Sequence, residues 1–279
     1  MNPTARCDER AGRPRSQEAV LPKRWTWLVR GFRKYACRYV RKHFHAVRLS
    51  KSGHPFPTAD APVLVVLNHP SWWDPLIGIV LSRAFGTRDQ FAAIDAVAVA
   101  RYRFFSRLGF VGVDTKSLRG AATFLRTGTT ILSQPRRVFW VTAQGRFTDV
   151  RERPLALQSG VGHLAARLNA GIVLPVALEY TFWTESTPEA LVRVGEPLNV
   201  AERPNLNGKA WTSLIENALT ANIDALNAEA MKRDPGAFTE LLAGKTGVGG
   251  VYDLWRRLKS WAQGQKFDPA HDSPREANQ

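Results

Sequence analysis

The residues of this chain best suited to chemistry are His69 and Asp74, five positions apart in the run Asn68-His69-Pro70-Ser71-Trp72-Trp73-Asp74-Pro75. A histidine near its unperturbed pKa of about 6.5 is the best-matched general base at neutral pH. A carboxylate that holds one ring nitrogen fixes the tautomer and leaves the other nitrogen free to take a proton. Such a pair could activate a hydroxyl for attack on a carbonyl carbon. The spacing alone is a weak signal, because Asp directly before Pro and an apolar run is also a good helix cap. Asp74 is expected to fill both roles.

Elements must exist to hold the pair. The apolar run at 63–67 reads as a buried strand ending just before Asn68, and a helical pattern over 76–84 follows Pro75. His69 and Asp74 therefore flank one tight strand-to-helix connection. Further strands are expected at 90–94, 110–113, 138–142, 172–178 and 191–194, and further helices at 98–108, 118–127, 157–168 and 209–231. This alternation predicts an α/β fold with a central mostly parallel or mixed sheet flanked by helices. Before it, a flexible basic head is expected over 1–22 and an amphipathic helix over 23–50. The catalytic domain is expected over 58–235, and a helical, basic tail over 236–279 with a Gly-rich hinge at 244–250.

Charge is unevenly placed. The first 60 residues hold fourteen Lys and Arg against four acids, ten of the chain's fifteen net positive charges. From Trp25 to Val47 apolar residues recur at three- and four-residue steps, with Arg and Lys between them and no acid. This describes a cationic, aromatic-rich amphipathic helix that can lie in the headgroup plane of an anionic membrane. Trp25, Trp27, Arg30, Lys34, Arg38 and Arg41 are its candidate membrane contacts, and Trp255 and Trp261 repeat the chemistry near the C-terminus. A helix packed on the domain with a solvated basic face is the plainer reading, and both could hold together. Residues 1–21 lack the apolar stretch of a signal peptide, and no apolar run approaches the roughly 20 residues of a membrane span. A peripheral protein on the cytoplasmic face of a membrane is the expectation. Cys7 and Cys37 are the only cysteines, too few for a disulfide framework or a zinc cluster. No metal ligand set is visible.

At these residues the sequence resembles the glycerophosphate and lysophospholipid acyltransferase superfamily, the His-x4-Asp acyltransferases. Asn68-His69 with Asp74 matches the first block, Gly109 to Lys116 the second, Val138 to Thr148 the third and Gly171 to Ala177 the fourth, all in the family's order. The resemblance covers about residues 60 to 200. It implies transfer of a fatty acyl group from acyl-CoA or an acidic acyl carrier protein to a lipid hydroxyl. It also implies no metal or other cofactor and no acyl-enzyme intermediate. His69 would be the base and Asp74 its orienter.

The sequence departs from the family pattern in the third block. Typical members read Pro-Glu-Gly-Thr-Arg, whose arginine binds the acceptor's phosphate; here the aligned residues are Ala143-Gln144-Gly145-Arg146-Phe147. Gln144, Gly145 and Arg146 are expected to shape the acceptor site, with Lys116, Arg151 and Arg153 as substitute phosphate ligands. The alternative keeps the fold and changes the acceptor to one without a phosphate, such as a glycolipid, a carotenoid glycoside or an aminolipid. Trp72 and Trp73 are expected to pack against the following helix. A non-enzymatic membrane- or nucleic-acid-binding module would suit the charge but leaves the four ordered blocks unexplained, and no nucleic-acid motif is present.

Overall fold

The computed structural model describes residue 19 and residues 21–244. The head over 1–22 falls almost wholly outside the described residues, as do Trp255, Trp261 and the tail around them, and most of the expected hinge.

The chain opens with α1 (Thr26–His43) and β1 (Ala46–Ser50), followed by β2 (Val63–Leu67) and α2 (Asp74–Leu81) with a 3₁₀ turn at Ser82–Phe85. Next come β3 (Asp89–Asp95), α3 (Ala96–Arg101), α4 (Phe104–Leu108), β4 (Phe110–Val113), α5 (Leu118–Leu132) and β5 (Arg137–Thr142). The remainder comprises α6 (Gly160–Ala165), β6 (Ile172–Thr181), β7 (Glu189–Val194), β8 (Leu198–Asn199), α7 (Gly208–Lys232) and β9 (Phe238–Ala243). The strands form one mixed sheet in the order β4-β3-β5-β2-β6-β7-β1-β9, with β8 on β6. From β4 to β6 all neighbours are parallel, whereas β7 runs antiparallel to β6 and β9 antiparallel to β1.

β2 lies near the middle of the sheet and is buried at every position, as a strand covered on both faces must be. Its Val63, Val65 and Leu67 face α1 and α2, together with Val40, Ile77 and Leu81. Leu64 and Val66 face the opposite layer of α5, α6 and α7, together with Phe124, Leu164 and Trp211. The α/β architecture expected from sequence is therefore the one observed.

Several boundaries differ. Residues 46–50, read as the end of the amphipathic helix, form β1 inside the sheet, because Phe44 turns extended (φ −119°, ψ 150°) and ends the helix at His43. Arg48, one of the fourteen basic residues of the first 60, is buried at 7% exposure and donates from Nε to Glu189 Oε2 at 2.9 Å. Residues 238–243, read as the start of a helical tail, form the edge strand β9 paired with β1. The helix expected over 98–108 breaks at Tyr102 (φ −122°, ψ 78°) into α3 and α4, and that over 157–168 contracts to α6. α1 itself packs on α2 through Ala36 and Val40, so it is part of the domain. No helix among the described residues is long and apolar enough to cross a membrane.

Candidate active site

The parallel strands place their carboxyl ends along one edge, where α/β folds gather their functional groups. β2 ends there, and Asn68 is fixed to the neighbouring strand: its side chain donates to Leu178 O at 2.9 Å and accepts from Leu178 N–H at 2.8 Å. This two-point clamp sets the direction in which the chain leaves the sheet at His69.

His69 and Asp74 meet. His69 Nδ1 lies 2.6 Å from Asp74 Oδ2, with the carboxylate buried and the imidazole 18% exposed. The proton belongs on Nδ1, leaving Nε2 as the free base. Asp74 does not act as the expected cap. It is the first residue of α2 and makes no side-chain hydrogen bond to the helix. Its carboxylate turns back instead, and Oδ2 also accepts from Ser71 N–H at 3.2 Å. Oδ1 accepts from the Tyr180 hydroxyl at 2.7 Å. Burial holds the Tyr180 phenol far above its usual pKa, with the Asp74 charge acting in the same direction, so Tyr180 stays a neutral donor. A buried carboxylate is costly unless its lone pairs are met, and three donors meet this one.

Gln144 takes a different place from the one expected. It is 3% exposed, its Oε1 accepts from His69 N–H at 2.8 Å, and its Nε2 donates to Leu155 O at 3.2 Å. Both ends of the amide are therefore engaged by backbone, and the residue positions His69 rather than facing an acceptor. Gly145 occupies the left-handed region (φ +67°), which permits the sharp turn that follows β5. That turn brings Phe147 against the base, with ring centroids 4.5 Å apart, while Thr148 N–H donates to His69 O at 2.9 Å. Phe147 is itself 58% exposed, so it forms an apolar wall open to solvent on its far side.

The candidate phosphate ligands are dispersed. Arg146, next to Phe147, pairs with Glu152. Arg151 pairs with Asp149 at 2.8 Å, and Arg153 pairs with Asp224 of α7. Lys116 lies just after β4, three strand spacings or about 14 Å across the sheet from β2. Its backbone N–H donates to Asp114 Oδ1 at 2.9 Å. In the second block, Gly109 ends α4 at φ +100°, and a side chain there would strike Gln90 O.

Of the candidate membrane residues, Trp25 and Trp27 stack at 5.7 Å and are 40% and 68% exposed. Arg30, Lys34, Arg38 and Arg41 are exposed on α1. Trp73 packs at the start of α2 against Tyr39, His43 and Phe44. Trp72, expected to pack as well, is 62% exposed. Ring contacts run from Trp72 through Trp73, Tyr39, Tyr35 and Phe32 to Phe104, an aromatic band that begins two residues from Asp74. Sequence reasoning missed Tyr180 and this band. Tyr180 could have been suspected only from its alternation with Leu178 on one face of β6.

A histidine with a buried carboxylate behind it, at the carboxyl edge of an α/β sheet, can take the proton of a hydroxyl that attacks a carbonyl carbon. Residues 46–179, just under half of the chain, match the Acyltransferase family, and this match supports the acyltransferase superfamily that the ordered blocks resemble. Among solved structures it is similar to the 1-acyl-sn-glycerophosphate (LPA) acyltransferase PlsC from Thermotoga maritima, at 13% identity and a TM-score of 0.49, over 72% of this chain and 79% of that one. No curated protein matches the sequence.

Proposed function

We propose that this acyltransferase moves a fatty acyl group from an acyl thioester, carried by coenzyme A or acyl carrier protein, to a hydroxyl of a lipid acceptor at an anionic membrane surface. The observation that carries the reading is the His69–Asp74–Tyr180 chain: a partly exposed imidazole backed by a buried carboxylate that three donors satisfy. In the reaction Nε2 takes the acceptor's hydroxyl proton as the oxygen attacks the thioester carbonyl. The C–S bond then breaks, and the departing thiolate takes that proton from the imidazolium. Asp74 holds the ring and stabilises its transient charge. The aromatic band beside Asp74 offers an apolar approach for acyl chains from a bilayer, with the arginines and lysines of α1 able to meet lipid phosphates.

The acceptor we favour lacks a phosphate next to the base, because Phe147 stands where an arginine fork would be needed and packs on the imidazole. The second reading, acylation of a lysophosphatidate, is supported by Arg146 one residue away, whose guanidinium would have to leave Glu152. Purified protein offered labelled acyl-CoA or acyl carrier protein, with lysophosphatidate, monoacylglycerol and glycolipid acceptors in vesicles, tests both. Transfer that survives in His69→Ala would end the mechanism, and lysophosphatidate as the best acceptor would favour the second reading.

A further inference from the structure

α1 presents two different flanks on either side of the stripe that packs on α2. At about 100° per residue, Phe32, Tyr35, Tyr39 and His43 fall on one flank, and Arg33, Lys34, Cys37, Arg38 and Arg41 fall roughly opposite. The aromatic flank reaches Trp73 and Phe104. The basic flank meets Arg83, on the 3₁₀ turn that follows α2, and these six residues line a concavity of about 400 Å³. That volume lies within the range of small-molecule sites, though its lining is almost wholly cationic.

Five like charges converging on one concavity repel one another unless something neutralises them. Among the described residues, none of Arg33, Lys34, Arg38, Arg41 and Arg83 forms an ion pair, although eleven pairs are present elsewhere. Arg33 Nε is buried and meets no acceptor. A buried N–H left without an acceptor is destabilising, and a ligand oxygen placed there would remove that cost. Burial pulls the Arg33 guanidinium below its usual pKa, and the charges of Arg83 and Arg24 push the same way. Guanidinium forks suit phosphate geometry in particular, since they bind two oxygens at once.

We infer that this concavity is a binding site for a phosphate-bearing ligand, with Arg33 and Arg83 gripping the phosphate from its two walls and Lys34, Arg38 and Arg41 adding charge at the rim. The phosphate could belong to a soluble phosphorylated compound or to a lipid headgroup, and the two sources share this chemistry. With a lipid headgroup the site deepens, and rests on, the membrane contact of α1 proposed above, and with a soluble ligand it goes beyond that reading; its test reads binding alone, so it and the acyl transfer can fail separately.

The test uses the full chain at physiological salt with two probes: inorganic pyrophosphate, followed by calorimetry, and phosphatidylcholine vesicles containing one-fifth phosphatidic acid, followed by flotation. Wild-type protein should bind at least one probe saturably. The variant Arg33→Met/Arg83→Met should weaken that binding by roughly tenfold or more, the loss expected when charge-assisted contacts are removed. Arg167→Met, an exposed change on the opposite layer, should leave it unchanged. Loss confined to pyrophosphate assigns a soluble ligand, and loss confined to the vesicles assigns a headgroup. Arg83 is exposed, so Arg83→Met alone keeps the test open should the double variant fold poorly. If neither probe binds, or if Arg167→Met weakens binding as much as the pocket variants do, the proposal is overturned.

Discussion

At the scale of single residues, the proposed mechanism rests on one buried carboxylate serving three donors. His69→Ala should lower turnover by about 10² to 10⁴-fold, the usual contribution of a general base, and should also cost about 1–3 kcal/mol of stability, because it too takes one of the three donors from the buried Asp74. Tyr180→Phe is the more discriminating change. It removes one of three donors to Asp74 without altering shape, so stability should fall by about 1–3 kcal/mol and turnover with it, while the donor KM stays put. A Tyr180→Phe enzyme with unchanged turnover would reduce the phenol to a structural filler. Gln144→Glu restores the residue typical of the resembling family, yet here it should destabilise. A carboxylate can accept from His69 N–H but cannot donate to Leu155 O, and the site is buried. Thermal melts of that variant against wild type decide the point. If the acceptor does carry a phosphate, Arg146→Ala, Arg151→Ala or Arg153→Ala should raise its KM roughly tenfold to a hundredfold and spare the donor KM. With an uncharged acceptor none of the three should discriminate phosphorylated from unphosphorylated lipids.

Two elements carry predictions of their own. α1 cannot be tested by deletion, since removing residues 1–49 would also take away Val40, Phe44 and nearly all of β1 from the core. Surface changes are the proper probe: Trp27→Ser with Tyr35→Ser should weaken partition onto anionic vesicles by about 2–4 kcal/mol if both rings enter the bilayer, with folding intact. Vesicle binding equal to wild type would leave the rings without a membrane role. On β6, adjacent residues face opposite layers: Tyr180 reaches Asp74 while Glu179 faces α7. Burial raises Glu179 to about 7, with Arg151 pulling weakly the other way. The folded state thus holds this proton more tightly than the unfolded chain does. The stability linked to it is present below the ordinary carboxylate range and is lost as pH rises through about 7. Between pH 5 and pH 8 the wild type should lose about 1–2 kcal/mol that Glu179→Gln does not, part of the shift being screened by solvent. Parallel melting profiles for the two proteins would remove Glu179 as the cause.

The whole molecule is closed by its most distant strands. β1 inserts between β7 and β9, so residues near the start and end of the described chain seal one side of the sheet. Phe238 and Leu242 of β9 are 4% and 3% exposed, and Phe238→Ala/Leu242→Ala should cost several kcal/mol, about 2–5 for each deletion. It should also loosen the edge of β1, seen as faster amide exchange at Ala46 to Ser50. Unchanged exchange there would mean that β1 is held by β7 alone.

The local pattern of the chain was enough to determine the buried strand β2, the tight connection holding His69 and Asp74, and the α/β layering. Each depends on residues within a few positions of one another, through periodicity and turn chemistry. It could not determine β1, because Val47 continues the helical spacing and Arg48 looks like one more surface cation until Glu189, 141 residues away, is placed beside it. Nor could it separate the two duties expected of Asp74. Only the tertiary structure turned that carboxylate away from its helix, by bringing Tyr180 from 106 residues along the chain, and set Gln144 beneath His69 from 75 residues along. Contacts at such separations are chosen by strand order and side-chain alternation, which arise when the sheet assembles and leave no spacing in the sequence to read.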